Sequence, residues 1–190
     1  MSWLEVFAVV MSLASVALTV RRHVACWPTG IVGVAAYFAL FVEQKLYADS
    51  ALQIVFLAQN AYGWWYWLHG IDGGDRPVGV LRARDRTLIA LATAVAALGV
   101  GAALARWTDA ALPFADAALS TTSLVANWLL ARKLIENWWL WLAADVGYVA
   151  VFWSKGLRLS AALYVVFFAL CVIGVREWSR TRRTELAATA

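Results

Sequence analysis

Four stripes of polar and aromatic side chains are the parts of this chain that could do chemistry. After Glu136, the residues Trp138, Trp141, Asp145 and Tyr148 recur at helical spacing, within about 80° of arc at 100° per residue. That face offers aromatic walls and one acid. A second stripe carries Gln53, Phe56, Asn60, Trp64 and Trp67, a third Ser120, Ser123 and Asn127, and a fourth Ser12, Ser15 and Thr19. Asn137 fits either an N-cap or a polar group at the mouth of a site. Aromatic faces attract cations by roughly 0.5–2 kcal/mol each, a carboxylate adds the opposite charge, and amides select hydroxyl or carboxamide groups. The pattern points to recognition of a planar, polar, cationic organic molecule. The substrate-binding set expected from it is Gln53, Phe56, Asn60, Trp64, Asn127, Asn137, Trp138, Trp141, Asp145 and Tyr148.

Bond-making chemistry is not expected. The chain has no H-E-x-x-H, no G-x-S-x-G and no G-x-x-x-x-G-K-[ST] run, so neither an enzyme site, a metal, a cofactor nor nucleotide hydrolysis is anticipated. Each stripe also has a purely structural reading. Ser and Thr often bond carbonyls of their own helix, and amides can link helices. Trp64 to Trp67 end a span, so part of that run fits an interfacial belt, as do Trp3, Trp107 and Trp178. His69 reads as interfacial, and Cys26 and Cys171 as packing residues. Asp145 is the sharpest case, because it lies mid-span with no basic residue within a helical turn.

The elements that must position these stripes are membrane helices. Of 190 residues, 63% are hydrophobic and 15% charged, with a mean hydropathy of +0.70; a soluble domain is nearer half apolar. Seven spans are predicted near 2–20, 25–42, 50–69, 87–105, 113–131, 137–153 and 159–178. No cleavable signal is expected at the N-terminus. The segment from Gly70 to Arg86 reads as a flexible loop, and 179–190 as a frayed cytoplasmic tail. The arginines are dispersed among loops, so nucleic acid is not an expected partner.

The chain also repeats itself at an offset of 111 residues, with Arg21/Arg132, Trp27/Trp138, Tyr37/Tyr148, Phe41/Phe152, Phe56/Phe167, Gly63/Gly174 and Trp67/Trp178 identical. The offset lays spans one to three (2–69) on spans five to seven (113–178). A fourth span (87–105) must then invert the chain so that two three-helix repeats insert in parallel. Gly63 and Gly174 look like points of close helix approach. The polar residues break the symmetry: Asp145 pairs with Val34, Asn137 with Cys26, Asn127 with Val16, Gln53 with Tyr164 and Asn60 with Cys171. Twelve Lys and Arg residues fall on one side of the spans and four on the other, so the expected orientation is N-terminus outside and C-terminus cytoplasmic.

Two runs resemble a known family. LYADSALQIVFLAQNAYGWWYW (Leu46–Trp67) is similar to the third-span signature of the PnuC vitamin transporters, and ARKLIENWWLWLAAD (Ala131–Asp145) resembles their R-K-x-x-E-N-W-x-x-W run. The resemblance implies an all-α integral membrane protein with a seven-helix 3+1+3 fold like that of SWEET sugar transporters, and often a homotrimer. It implies uptake of nicotinamide riboside across the bacterial inner membrane by facilitated diffusion with alternating access, with thiamine and riboflavin carried by relatives. It also puts Gln53, Asn60, Asn137, Trp138 and Trp141 near the site. Only Pro28 lies in or at the mouth of a matching span, so proline hinges are not the expected basis of gating.

Overall fold

The computed structural model describes residues 3–43, 47–70, 77–109 and 111–188. Lys45 and Arg76, two of the charges that set the expected orientation, lie outside the described residues, as do Gly73 and Gly74. Among the described residues seven helices follow one another: α1 (Trp3–Val20), α2 (Cys26–Glu43), α3 (Tyr47–His69), α4 (Ala83–Trp107), α5 (Pro113–Ala131), α6 (Glu136–Ser154) and α7 (Arg158–Ala188). Even the shortest, at 18 residues, rises about 27 Å, close to the ~30 Å of a bilayer core. By length and composition α1, α2, α4 and α7 are apolar enough to cross a membrane. The less apolar α3, α5 and α6 carry Gln53, Gln59, Asn60, Asn127, Asn137 and Asp145, which are tolerated where they face the protein rather than lipid.

Helix packing makes a ring. α1 packs on α2 and α2 on α3; α5 packs on α6 and α6 on α7; contacts of α3 with α5 and of α1 with α7 close the circle. α4 packs on α5 alone among the described helices. Its remaining surface exposes Leu88, Leu91, Val95 and Leu98, an apolar face suited to lipid.

The same turn is built twice. α1 ends with the N–H of His23 on the Leu18 carbonyl (3.0 Å) and that of Arg22 on Thr19 (2.9 Å). α5 ends with the N–H of Leu134 on Leu129 (3.1 Å) and that of Lys133 on Leu130 (2.9 Å). These are Schellman-type ends, in which one residue must adopt the left-handed conformation. Arg22 (φ 56°) and Lys133 (φ 55°), 111 residues apart, both do so without being glycine. Both turns bring basic residues to one end of the bundle, here called the basic end. The buried apolar core also sits there, joining Val20, Cys26, Trp27, Leu130, Ile135, Trp138, Cys171 and Trp178.

Three sequence expectations are corrected. The last span does not stop at 178 in a frayed tail, because α7 continues to Ala188. The continuation is polar, which hides it from hydropathy, but a helix outside the bilayer needs no apolar run. The segment before α4 is not loose throughout. Residues 77–82 form a strap across the basic end, with the Gly79 N–H on the Lys133 carbonyl (3.0 Å) and the Ile135 N–H on the Gly79 carbonyl (3.1 Å). Glu185 of α7 accepts the Val78 N–H (3.0 Å) and pairs with Arg22 (3.3 Å). Glu136 accepts the Leu81 N–H (3.0 Å) and the Arg86 Nε–H (2.9 Å). Finally, Trp178 is not a belt residue: it is fully buried.

Candidate functional site

Four tryptophans close the ring at the basic end. Trp27 of α2 meets Trp67 of α3 edge-on (5.4 Å, 85°), and Trp138 of α6 meets Trp178 of α7 in the same way (5.5 Å, 86°). Trp67 and Trp178 approach each other across the ring at 6.3 Å. Glycine makes this arrangement possible. A Cβ at Gly174 would lie 2.6 Å from the Trp138 ring, and one at Gly63 would run into Trp27. The indole N–H of Trp67 donates to the Ala131 carbonyl of α5 (3.1 Å) and that of Trp178 to the Thr19 carbonyl of α1 (3.1 Å). Each bond crosses one of the two seams of the ring. The Lys133 ammonium lies 4.7 Å from the Trp67 ring centre.

The polar candidates fall into distinct groups. Asp145 on α6 is 3% exposed and accepts a bond from the Cys171 thiol of α7 at 3.4 Å. A thiol is a weak donor, so this carboxyl keeps most of its bonding capacity. Asn137 is completely buried; its amide donates to the Leu134 carbonyl (2.6 Å) while its Oδ1 accepts no bond among the described residues. The indole N–H groups of Trp27 and Trp138 are likewise buried without a partner among them. Unpaired buried donors and acceptors cost roughly 1–3 kcal/mol each, so a group of them marks a place where water or a ligand can be bound.

Asn60 donates to the Phe56 carbonyl of its own helix (2.8 Å). Its Oδ1 lies over Gly30 of α2, where a Cβ would be 3.1 Å away. Ser15 closes the other side of that glycine and donates to the Cys26 carbonyl (2.7 Å). Ser12 and Thr19 bond carbonyls four residues back, as in the structural reading of that stripe.

Asn127 is tied into the α3–α5 seam by a residue missing from the expected set. Its amide donates to Gln59 Oε1 (3.1 Å), and Gln59 Nε2 donates to the Leu124 carbonyl (3.2 Å). The adjacent amides Gln59-Asn60 were a usable signal, but Gln59 sits one position off the stripe.

Tyr148 joins an aromatic cluster toward the other end of α6 and α7, 4.5 Å from Tyr164 and 6.0 Å from Phe152. Trp141 is half-buried against the basic-end core. Gln53 and Phe56 are half-buried on α3, whereas Trp64 is exposed, like its neighbour Trp65.

A closed ring of membrane-length helices that buries an acid, amides and indoles is the architecture of a multi-pass membrane protein, and its family and structural neighbours are transporters, not enzymes. Residues 2–180 match the family model described as nicotinamide mononucleotide transporter. The chain belongs to that family.

Relatives extend over nearly the whole chain. The nicotinamide riboside transporter PnuC of Escherichia coli K12 is 25% identical, over 96% of this chain and 87% of its own. The riboflavin/roseoflavin transporter RibM of Streptomyces davaonensis is 29% identical, over 95% of this chain and 87% of its own. The crystal structure of the vitamin B3 transporter PnuC superposes with a TM-score of 0.80 at 20% identity, covering 96% of this chain and 83% of that one. This likeness shows the fold.

Proposed function

We propose that this chain carries nicotinamide riboside across the bacterial inner membrane by facilitated diffusion. The observation that carries the reading is the buried acid, Asp145, on the helix that also buries Asn137 and Trp138, in a ring of helices that buries Asn60 and Asn127 as well. Nicotinamide riboside has a cationic pyridinium ring, a carboxamide and a ribose. Its charge suits the carboxylate, its ring the indoles of Trp138 and Trp141, and its carboxamide and hydroxyls Asn60 and Asn137, with Tyr148, about 15 Å along α6 from Trp138, at the far end of the proposed site. Gln53, Phe56 and Trp64 complete the α3 side of the proposed site, with Asn127 at its seam.

In this reading α1–α3 and α5–α7 are two parallel three-helix units joined by α4, and they rock about the α3–α5 and α1–α7 seams. The duplicated turns and the duplicated Trp-over-Gly contacts support it. Opening the basic end requires Trp67 and Trp178 to part and the Trp178–Thr19 bond to break. The excess of Lys and Arg supports an orientation with that end and the C-terminus in the cytoplasm and the N-terminus outside. The resemblance supports a homotrimer.

The test is uptake of labelled nicotinamide riboside into proteoliposomes. Saturable uptake without ATP is expected; absence of both uptake and riboside-induced quenching of Trp fluorescence would sink the proposal. The RibM relative favours a second reading, riboflavin as cargo. Unlabelled riboflavin and thiamine as competitors separate the readings, and nicotinamide riboside should compete best.

A further inference from the structure

α7 carries two opposed faces where it leaves the bilayer. Trp178 and Glu185 are about 20° apart around the helix and face the bundle, one buried in the tryptophan cluster and the other holding Arg22 and the strap. Arg176, Arg180 and Arg183 lie on the opposite side within about 60° of arc and about 10 Å of helix axis. All three are exposed, and none enters an ion pair among the described residues. With Ser179 and Thr184 they make a polar, cationic side of α7.

The occupant is indicated by what lies above them. The same side of α7, followed back toward its N-terminus, is an exposed apolar strip of Ala162, Val165, Ala169 and Ile173. From Val165 to Arg176 the rise is about 16 Å, roughly the hydrocarbon depth of one leaflet. Among the described helices α7 packs only on α6 and α1. One continuous face is therefore apolar over about the depth of a leaflet and then carries three arginines.

We infer that this face is a binding site for an anionic phospholipid, its acyl chain along the apolar strip and its phosphate among Arg176, Arg180 and Arg183. Arginine suits the role because its planar fork donates paired bonds to phosphate oxygens. A soluble acidic protein would use the arginines but not the strip above them. The inference is independent of the cargo, since none of these residues belongs to the proposed substrate site.

The experiment is native mass spectrometry of the full-length protein in neutral detergent, with phosphatidylglycerol and phosphatidylcholine of matched acyl chains. Wild type should retain phosphatidylglycerol in preference to phosphatidylcholine, and the preference should fall as salt is raised. Arg176→Gln/Arg180→Gln/Arg183→Gln should weaken that retention by about fivefold for each arginine removed. Arg82→Gln/Arg84→Gln, which alters two exposed arginines at the start of α4, should leave it unchanged. Equal retention of the two lipids by wild type overturns the inference without any variant needing to fold. So does undiminished retention by a folded triple variant, an equal loss in the α4 control, or displacement of the lipid by a soluble acidic peptide.

Discussion

Gly174→Ala isolates the packing that shapes the basic end. The added Cβ would sit 2.6 Å from three atoms of the Trp138 ring, whereas carbon atoms rest at about 3.5–4.0 Å. The ring must retreat by about 1 Å, but it is held edge-on to Trp178, which is itself bonded to the Thr19 carbonyl. Overpacking of this kind costs about 1–3 kcal/mol. Alanine also gains about 0.8–1.0 kcal/mol of helix propensity over glycine, which would blur the result. Gly99→Ala removes that ambiguity, because nothing lies within 4 Å of its Cβ position. Propensity cancels between the two variants, leaving Gly174→Ala less stable than Gly99→Ala by about 1–3 kcal/mol. For a chain of this size each kcal/mol moves the melting point by about 2–4 °C. Thermal melts followed by Trp fluorescence in one detergent provide the assay. If the two variants melt together, the Trp-over-Gly account of this end is wrong.

Further expectations concern the site and its closure. Asp145→Asn should weaken binding of cationic nicotinamide riboside more than that of neutral riboflavin, measured by fluorescence titration; equal losses would make Asp145 structural. Trp138→Ala should lower riboside affinity by about tenfold, the weight of a well-placed aromatic–cation contact, while the protein still inserts; unchanged affinity would remove Trp138 from the site. Glu185→Gln gives up the half-exposed pair with Arg22, worth about 0.2–1 kcal/mol, and should hasten labelling of a Val78→Cys variant by an impermeant maleimide. Unaltered labelling would mean that the strap is held by its backbone bonds alone.

The membrane class and the helices were legible because a hydrocarbon core demands long apolar runs, supplied outright by α1, α2, α4 and α7 and more weakly by α3, α5 and α6. The close-approach glycines were legible because Gly63 and Gly174 keep their partners Trp27 and Trp138 at the same spacing. What escaped was everything fixed by carboxylates acting over distance. Glu185 reaches a backbone N–H 107 residues away and Glu136 one 55 residues away, and no local pattern marks either. The polar end of α7 escaped because hydropathy reports the bilayer and not the helix. Trp178 was misjudged because an indole at a span end suits lipid headgroups and a protein core equally well; the helix beside it decides. In the candidate site, residue types were legible while pairings were not, as Gln59 and Asn127 show.

The closure of the ring has a consequence for how the protein is made. α1 lies against α7, and the Thr19–Trp178 bond joins residues 159 apart. A chain that leaves the ribosome N-terminus first therefore completes its circle with its last helix. Until then α1 has only α2 as a lasting neighbour, and Trp67 faces the place its partner will take. Truncation within α7 would leave an open arc with unsatisfied aromatic edges, the kind of intermediate that quality control in a membrane removes. The natural checkpoint of assembly lies at the end of synthesis, so loss of Trp178 should show itself as low abundance before it shows itself as slow transport.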